Sequence, residues 1–562
     1  MLFASFDFLL FLPLALAGYW ALGRFPRARA LFLLLASYFF YAATPKTANG
    51  PLPAPWHFSG LLLLSTALNY GAALRVEAAK RRFGDGRFWM LASTAANLAL
   101  LGYFKYTGFL FECATLLAGT LGLPQAAPSF HLALPLGISF YTFQNVGYVV
   151  DVYRGTVPAE RSFLRYALYV AFFPQLIAGP IVRASELLPA LGQRLRVEAA
   201  DVDEAVFRIT RGLVKKLLFA DLLAASFVDI VLGSPASYST LENLLALYAF
   251  TLQIYADFSG YSDMAIGVAR LFGFRLPENF DRPYQAASLG EFWRRWHMTL
   301  SGWLRDYVFV PLGGSRGGTL RVYFNVWLTL FLVGMWHGAS WNFVAYSSLQ
   351  AFAMVFDRFV RKRDPSLGAR VMPTLGFALS YGLLVYGAGH LLGLGDVAGI
   401  ASAIVVGHVS LFGILPSAEE APWTKSLHVL STFHFVVLSR LFFRAETLDT
   451  ARELCRKLLD PDTAGVRPGL LRIHAVHDAV ASATTVPEPI RSAALTVCDN
   501  AVLLLLAVGF SLHFLPARAC NRAGLAFVAK LPAWGIAGLL GLLCAALPFL
   551  LSAPRPNIYF SF

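Results

Sequence analysis

The chain has 562 residues, 57% of them hydrophobic and only 14% charged, with a mean hydropathy of +0.58. That composition excludes an ordinary soluble multidomain protein and points to a polytopic membrane protein. The net charge of +13 then belongs to basic loops beside membrane spans, not to a nucleic-acid surface. The five cysteines, Cys113, Cys455, Cys498, Cys520 and Cys544, lie too far apart for a disulfide framework or a zinc site.

Residues 1–22 are apolar with one acid, Asp7. They lack a basic start and a cleavage site, which predicts a retained first span. Arg24, Arg27 and Arg29 follow, then a second span over 31–43, a Pro/Gly loop, and a third span over 58–74 that ends in Lys80, Arg81, Arg82 and Arg87. Basic residues on alternate loops predict an outside N-terminus, with loops 24–29, 77–87, 313–321 and 357–370 in the cytoplasm. A fourth span is expected over 88–103. Two apolar stretches are interrupted by polar and backbone-loosening residues: 131–150, with Pro135, Gly137, Gln144, Asn145 and Gly147, and 163–181, with Pro174, Gln175, Gly179 and Pro180. They read as broken or re-entrant segments that line a cavity, or as kinked packing helices.

A polar linker is expected over 184–204, then a long basic-flanked helix and a span over 238–258. The span runs into a stretch where Asp257 and Asp263 flank Ser259, Gly260, Tyr261 and Ser262. Carboxylates at membrane depth need hydrogen bonds or a cationic partner. The arginine-rich segment 294–305 is the expected partner, and a structural role is favoured over a catalytic one. Segment 291–310 is too charged to span and suits an interfacial helix, on which His297, Leu300, Ser301 and Leu304 would share one face. GGSRGG at 313–318 lacks the Lys-Ser/Thr ending of a phosphate loop. Spans over 322–336 and 341–356 meet at a hinge around His337. Further spans are expected near 375–392, 398–415, 427–441, 501–515 and 533–551. The longest polar stretch, 445–499, should form an amphipathic helix and a loop. The total is about 11 to 13 hydrophobic segments, with no internal repeat.

His337 ends an apolar run and is surrounded by Gly334, Gly338, Ala339 and Ser340, so a substrate or a second helix has room to approach. An imidazole there is a natural general base; a packed histidine bonded to a carbonyl fits the spacing equally well. The other nine histidines, His57, His131, His390, His408, His428, His434, His474, His477 and His513, show no metal-ligand spacing and read as structural. There is no G-x-S-x-G elbow and no Walker loop.

Long, ordered stretches carry a resemblance: LPLGISFYTFQNVGYVVDVYRG (134–155), FFPQLIAGPIVR (172–183), QIYADFSGYSDMAIGVARLFGF (253–274), NFDRPY (279–284), FWRRWHMTLSGWLRDYVFVPLGG (292–314), GMWHGASWNF (334–343), FFRAETLDTA (442–451) and NIYFSF (557–562). They resemble the membrane-bound O-acyltransferase family, in its bacterial branch of glycan O-acetylation and teichoic-acid D-alanylation proteins. The resemblance implies one all-α polytopic transmembrane domain over 1–562, its helices and broken segments arranged around a central tunnel, with a catalytic core at 131–363. It implies His337 as the catalytic residue and His297 on the same reaction path. Trp296, Trp336, Ser340, Asn342, Tyr141, Gln144 and Asn145 are expected along the tunnel. It further implies no tightly bound cofactor or metal. The acyl group would come from acetyl-CoA or another cytosolic thioester and go to an exported polysaccharide, such as alginate, or to a periplasmic relay partner. The site would be the bacterial inner membrane. Broken helices and buried charges also mark secondary transporters, and a non-catalytic scaffold of a glycan-modifying complex is a third reading.

Overall fold

A computed structural model describes residues 1–43, 55–123, 133–193, 195–360, 395–415, 421–460, 465–483 and 486–532, with scattered positions within 374–387 and 535–541. The Pro/Gly loop after the second span, the spans at 375–392 (in part) and 533–551, most of loop 357–370, the terminal 557–562 motif, His131, His390 and Cys544 lie outside the described residues, as does the His57 side chain. Every regular element among the described residues is a helix. The chain divides into two compact units.

The first unit comprises residues 1–213, 258–279 and 522–562. Helix α1 (Phe6–Ala21) is capped by the Ser5 hydroxyl, which accepts the Phe8 N–H at 3.3 Å. Helix α2 (Pro26–Ala42) starts on a proline, whose missing N–H costs nothing in a first turn. Helices α3 (Pro55–Phe83) and α4 (Arg87–Thr120) form a long hairpin. Buried amides hold it together: Asn97 Nδ2 donates to Asn69 Oδ1 at 2.8 Å, Asn69 Nδ2 returns a bond to Asn97 Oδ1 at 3.2 Å, and the Ser93 hydroxyl adds a third at 2.7 Å.

Helix α5 (Ile138–Arg154) corrects one expectation, because it runs unbroken through Gln144, Asn145 and Gly147. The break falls ahead of it, at Gly137. That residue sits at φ +69°, and a Cβ there would come within 2.6 Å of the Leu176 carbonyl oxygen. The 163–181 stretch does break: α6 (Phe163–Ala171) stops at Phe172, and α7 (Phe173–Leu176) is a single turn. The supposed linker 184–204 is largely helical, in α8 (Ala184–Leu191) and the start of α9 (Ala199–Val214). Helix α10 (Thr240–Leu271) is one helix of 32 residues, and its part from Phe258 on belongs to this unit.

The second unit comprises residues 214–257 and 280–521. It opens with π-helical turns, Lys215–Leu222 and Ala224–Val228. It continues through the first half of α10, α11 (Leu289–Arg295), α12 (Met298–Leu304), a π-helical turn Arg305–Phe309, and the packed pair α13 (Thr319–His337) and α14 (Trp341–Val360). Helices α15 (Gly395–Ile414) and α16 (Lys425–Arg444) pack on α14. The polar 445–499 stretch is more helical than expected, with α17 (Leu448–Leu459), α18 (His474–Ser482) and α19 (Glu488–Asp499), and α20 (Ala501–Phe514) follows. Among the described residues, α13 and α16 are long and apolar enough to cross a membrane, and α19 with α20 makes a third span if that pair, bent by 69°, counts as one.

Candidate active site

In the second unit, α11 begins at Ser288, whose hydroxyl accepts the Glu291 N–H at 3.2 Å. It stops because Trp296 turns extended and His297 adopts the left-handed conformation, φ +44° and ψ +56°. His297 therefore lies before α12, not within a helix as expected, and its helical face with Leu300, Ser301 and Leu304 does not form. A left-handed non-glycine residue costs about 1–2 kcal/mol. Arg282 is the second such residue among those described, at φ +45°. The two strained points are tied together one and two residues upstream: the Asp281 N–H bonds the Arg295 carbonyl at 2.9 Å, and Arg295 Nη1 donates to the Asp281 carbonyl at 3.3 Å. Strain of this kind persists only where the surroundings over-determine it, and it collects at functional sites.

His337 is the last residue of α13. Its ring lies 4.8 Å from the Trp336 indole and 5.3 Å from Phe443 of α16. The same indole lies 5.9 Å from the His297 ring, edge-on. One tryptophan thus bridges the two histidines that the sequence singled out. Both are buried, His297 to 1% and His337 to 4% exposure. His297 lies outside the membrane-spanning helices, and burial pushes its imidazole down to about 3. It is neutral at physiological pH. The hinge around His337 packs closely because Gly334 and Gly338 lack side chains: a Cβ at Gly334 would stand 2.7 Å from Ser347 Cβ, and one at Gly338 would run into the Phe343 ring.

Of the other expected tunnel residues, Trp296 lies beside His297, with Phe280 at 5.1 Å and Phe292 at 5.7 Å. The Ser340 carbonyl accepts the Phe343 and Val344 N–H groups and so starts α14. Asn342 Nδ2 donates to the Ala445 carbonyl at 2.8 Å and ties α14 to the end of α16. Tyr141, Gln144 and Asn145 all belong to the first unit. There both polar atoms of Asn145 are engaged: Nδ2 donates to Ser65 Oγ at 3.0 Å, and Oδ1 accepts the Tyr166 hydroxyl at 2.7 Å. The Tyr141 hydroxyl and Gln144 Oε1 are buried without a hydrogen-bond partner among the described residues.

The two acids find different partners from those expected. In the second unit, Lys216 Nζ sits 2.8 Å from both Asp257 and Asp221, on the π-helical turn. In the first unit, Asp263 receives Arg211, with Nε at 2.9 Å, and Arg208 at 4.0 Å. The ion pairs of both acids are thus with basic residues of 208–216, not with the 294–305 arginines that were expected. Of those arginines, Arg295 pairs with Glu291 and Arg305 with Asp306.

In the second unit Arg440 escaped the sequence reading, which gives His513 as structural. Arg440 on α16 is 2% exposed, and its guanidinium lies 4.7 Å from the Trp296 ring and 5.4 Å from the Tyr284 ring. An arginine inside the apolar run STFHFVVLSRLFF was the available signal. His513 Nε2 accepts the Tyr284 N–H at 3.1 Å, and its ring packs 4.7 Å from Tyr255. His408, by contrast, sits 3.5 Å from Asp357 and bonds Ser431.

Chemically, the site offers two buried imidazoles on one indole, a glycine hinge and a buried guanidinium. Those groups suit proton removal from a hydroxyl and stabilisation of negative charge in a dry environment. Residues 157–366 match the sequence profile of the membrane-bound O-acyltransferase family. The chain is similar to a probable alginate O-acetylase of Pseudomonas aeruginosa, 39% identical over 392 residues, which cover 69% of this chain and 71% of that protein. It is similar to the peptidoglycan O-acetyltransferase of Helicobacter pylori, 36% identical over 62% of this chain and 68% of that one. It is also similar to the teichoic acid D-alanyltransferase of Bacillus subtilis, 28% identical over 47% of this chain and 73% of that one.

Proposed function

Because this chain belongs to the membrane-bound O-acyltransferase family and is an acyltransferase, we propose that it moves an acetyl group from a cytosolic thioester, such as acetyl-CoA, to a hydroxyl of an exported polysaccharide, with His337 as general base. The observation that carries the reading is the shared Trp336, which sets both histidines against one ring at the end of a membrane-spanning helix. The relatives named for alginate and peptidoglycan O-acetylation support the acetyl group and the glycan acceptor. The basic loops and the family's membrane attachment support the bacterial inner membrane. The final acceptor is reached directly or through a periplasmic protein that relays the acyl group.

In this reading the hydroxyl oxygen attacks the thioester carbonyl carbon, its proton passes to a ring nitrogen of His337, and the carbonyl π pair moves onto oxygen. Collapse restores the C=O bond and breaks the C–S bond. The sulfur leaves with the electron pair and takes the proton back. His297 is neutral and buried, so it orients a reactant or receives a hydrogen bond; with its basicity so far reduced, it does not compete for the proton. The test is the O-acetyl content of surface polysaccharide in cells expressing equal amounts of wild type, His337→Ala, His337→Gln and His297→Ala. General-base catalysis is worth about 10²–10⁴-fold, so both His337 variants should lose nearly all acetylation at normal abundance. Substantial acetylation by His337→Ala would move the base role to His297.

A further inference from the structure

Arg440 carries a charge that no carboxylate among the described residues neutralises. It is buried to 2% exposure on a membrane-spanning helix, where an isolated ion is costly. Among the described residues no carboxylate lies within ion-pair distance of it. Only Nη1 is engaged, donating to the Thr251 carbonyl at 3.0 Å and to the Tyr284 hydroxyl at 2.7 Å. Nε and Nη2 make no hydrogen bond among those residues. Tyr284 does not act as the missing anion, because burial raises its phenol far above neutrality and keeps it protonated. Its hydroxyl is itself a donor, to Thr251 O at 2.6 Å.

The placement of this charge is specific. The guanidinium stacks over Trp296, the residue before His297. One turn further along α16, Phe443 packs on His337 at 5.3 Å and on Tyr346 at 5.2 Å. Residues three apart on a helix share a face. The face of α16 that carries Arg440 is therefore the one that reaches the aromatic layer around both histidines. A buried cation whose remaining donors lack an acceptor among the described residues is suited to meet an anion that arrives with the chemistry.

We propose that Arg440 is a further catalytic residue, whose guanidinium holds the negative oxygen formed when a hydroxyl adds to the acyl carbonyl. This rests on the acyl-transfer reading of the histidine site above. When the C–O bond forms and the hydroxyl proton goes to His337, the carbonyl π pair settles on oxygen beside the Arg440 N–H donors. When the C–S bond breaks, that pair returns to the carbonyl and the guanidinium is again uncompensated. The charge is felt only while the oxyanion exists, which is the condition for raising turnover without tightening substrate binding.

A structural arginine and a catalytic one differ in what their removal does to the fold. Arg440→Met and Arg440→Gln strand no carboxylate, and Thr251 O keeps its bond from Tyr284. Removal of an unneutralised buried charge should leave thermal stability equal or higher. The experiment uses the full chain in membranes that carry the glycan acceptor, with radiolabelled acetyl-CoA as donor and a non-reactive thioether analogue of acetyl-CoA as the binding probe. Transfer by both variants should fall about 10²–10³-fold, as for loss of one oxyanion donor. Analogue affinity should change less than about threefold and the thermal midpoint should not drop, and Arg440→Lys should recover part of the rate because it keeps the charge without the fork. Transfer by Arg440→Met near wild type would overturn the proposal. A lowered midpoint in both neutral variants, with activity tracking the folded fraction, would overturn it in favour of a structural role. His337→Ala is run alongside. If it remains active, the underlying reading fails; if it is dead while Arg440→Met is active, only this proposal fails.

Discussion

Alanine at Gly334 adds one carbon at the place where the active-site hinge is tightest. In the structure that carbon would stand 2.7 Å from Ser347 Cβ and 2.9 Å from Ser347 Cα, against an ordinary contact of about 3.5–4.0 Å. The second of these atoms is backbone, so no rotamer change relieves the clash. Helices α13 and α14 must separate by about 1 Å, and His337 is one turn from the point of separation. Overpacking a tight interface typically costs about 1–3 kcal/mol, and a 1 Å misplacement of a catalytic group can cost about 10²-fold in rate. Gly334→Ala should therefore lower the thermal midpoint moderately and glycan O-acetylation severely. Ser347→Gly in the same chain removes Cβ and Oγ together and moves the small residue from α13 to α14. The double variant Gly334→Ala/Ser347→Gly should recover part of both losses, since the Cβ and Oγ clashes go while the 2.9 Å contact with the Cα of residue 347 remains. The assay is the thermal midpoint in detergent together with O-acetyl content at matched abundance. A Gly334→Ala protein with unchanged midpoint and activity would refute the close-packing argument, and a double variant no better than the single one would refute its geometry.

Two other outcomes are expected. Lys216→Met should destabilise more than Asp257→Asn, because it strands two buried carboxylates whereas the asparagine variant leaves Lys216 paired with Asp221; loss of one partner of a buried pair costs about 3–5 kcal/mol, and equal abundance of the two variants in membranes would count against this. His297, held near 3 in the folded chain against about 6.5 unfolded, excludes a proton that the unfolded chain binds, so its contribution is complete above pH 6.5 and falls by up to about 1.4 kcal/mol per pH unit as pH drops toward 3; His297→Gln should flatten that part of the stability–pH curve, and an unchanged slope would show that the proton is not excluded.

The helical class and the histidine pair were legible because they rest on local signals: apolar runs, glycines at a hinge, and two Trp-His pairs. The conformation of His297 was not, since positive φ at a non-glycine residue depends on tertiary contacts, here including the clamp between residues 281 and 295. The partners of Asp257 and Asp263 were misjudged for a related reason. Arginine density near 300 is conspicuous in the sequence, but Lys216 and Arg211 lie 41 and 52 residues upstream, and only the packing of helices brings them close. Polar residues in 131–150 suggested a broken helix. They are instead absorbed into an intact one, where Asn145 finds both its partners on other helices. Arg440 was overlooked because its neighbours in sequence are ordinary span residues.

The amide pair between α3 and α4 also bears on how the chain is put into the bilayer. Asn69 and Asn97 each fill their remaining side-chain capacity with their own helix or with each other, and Ser93 closes the last acceptor. Alone in hydrocarbon, either helix would present an unsatisfied amide to lipid. Side by side, neither does. The two segments should therefore leave the insertion machinery together as a hairpin, and the short turn at 84–86 makes that pairing immediate during synthesis.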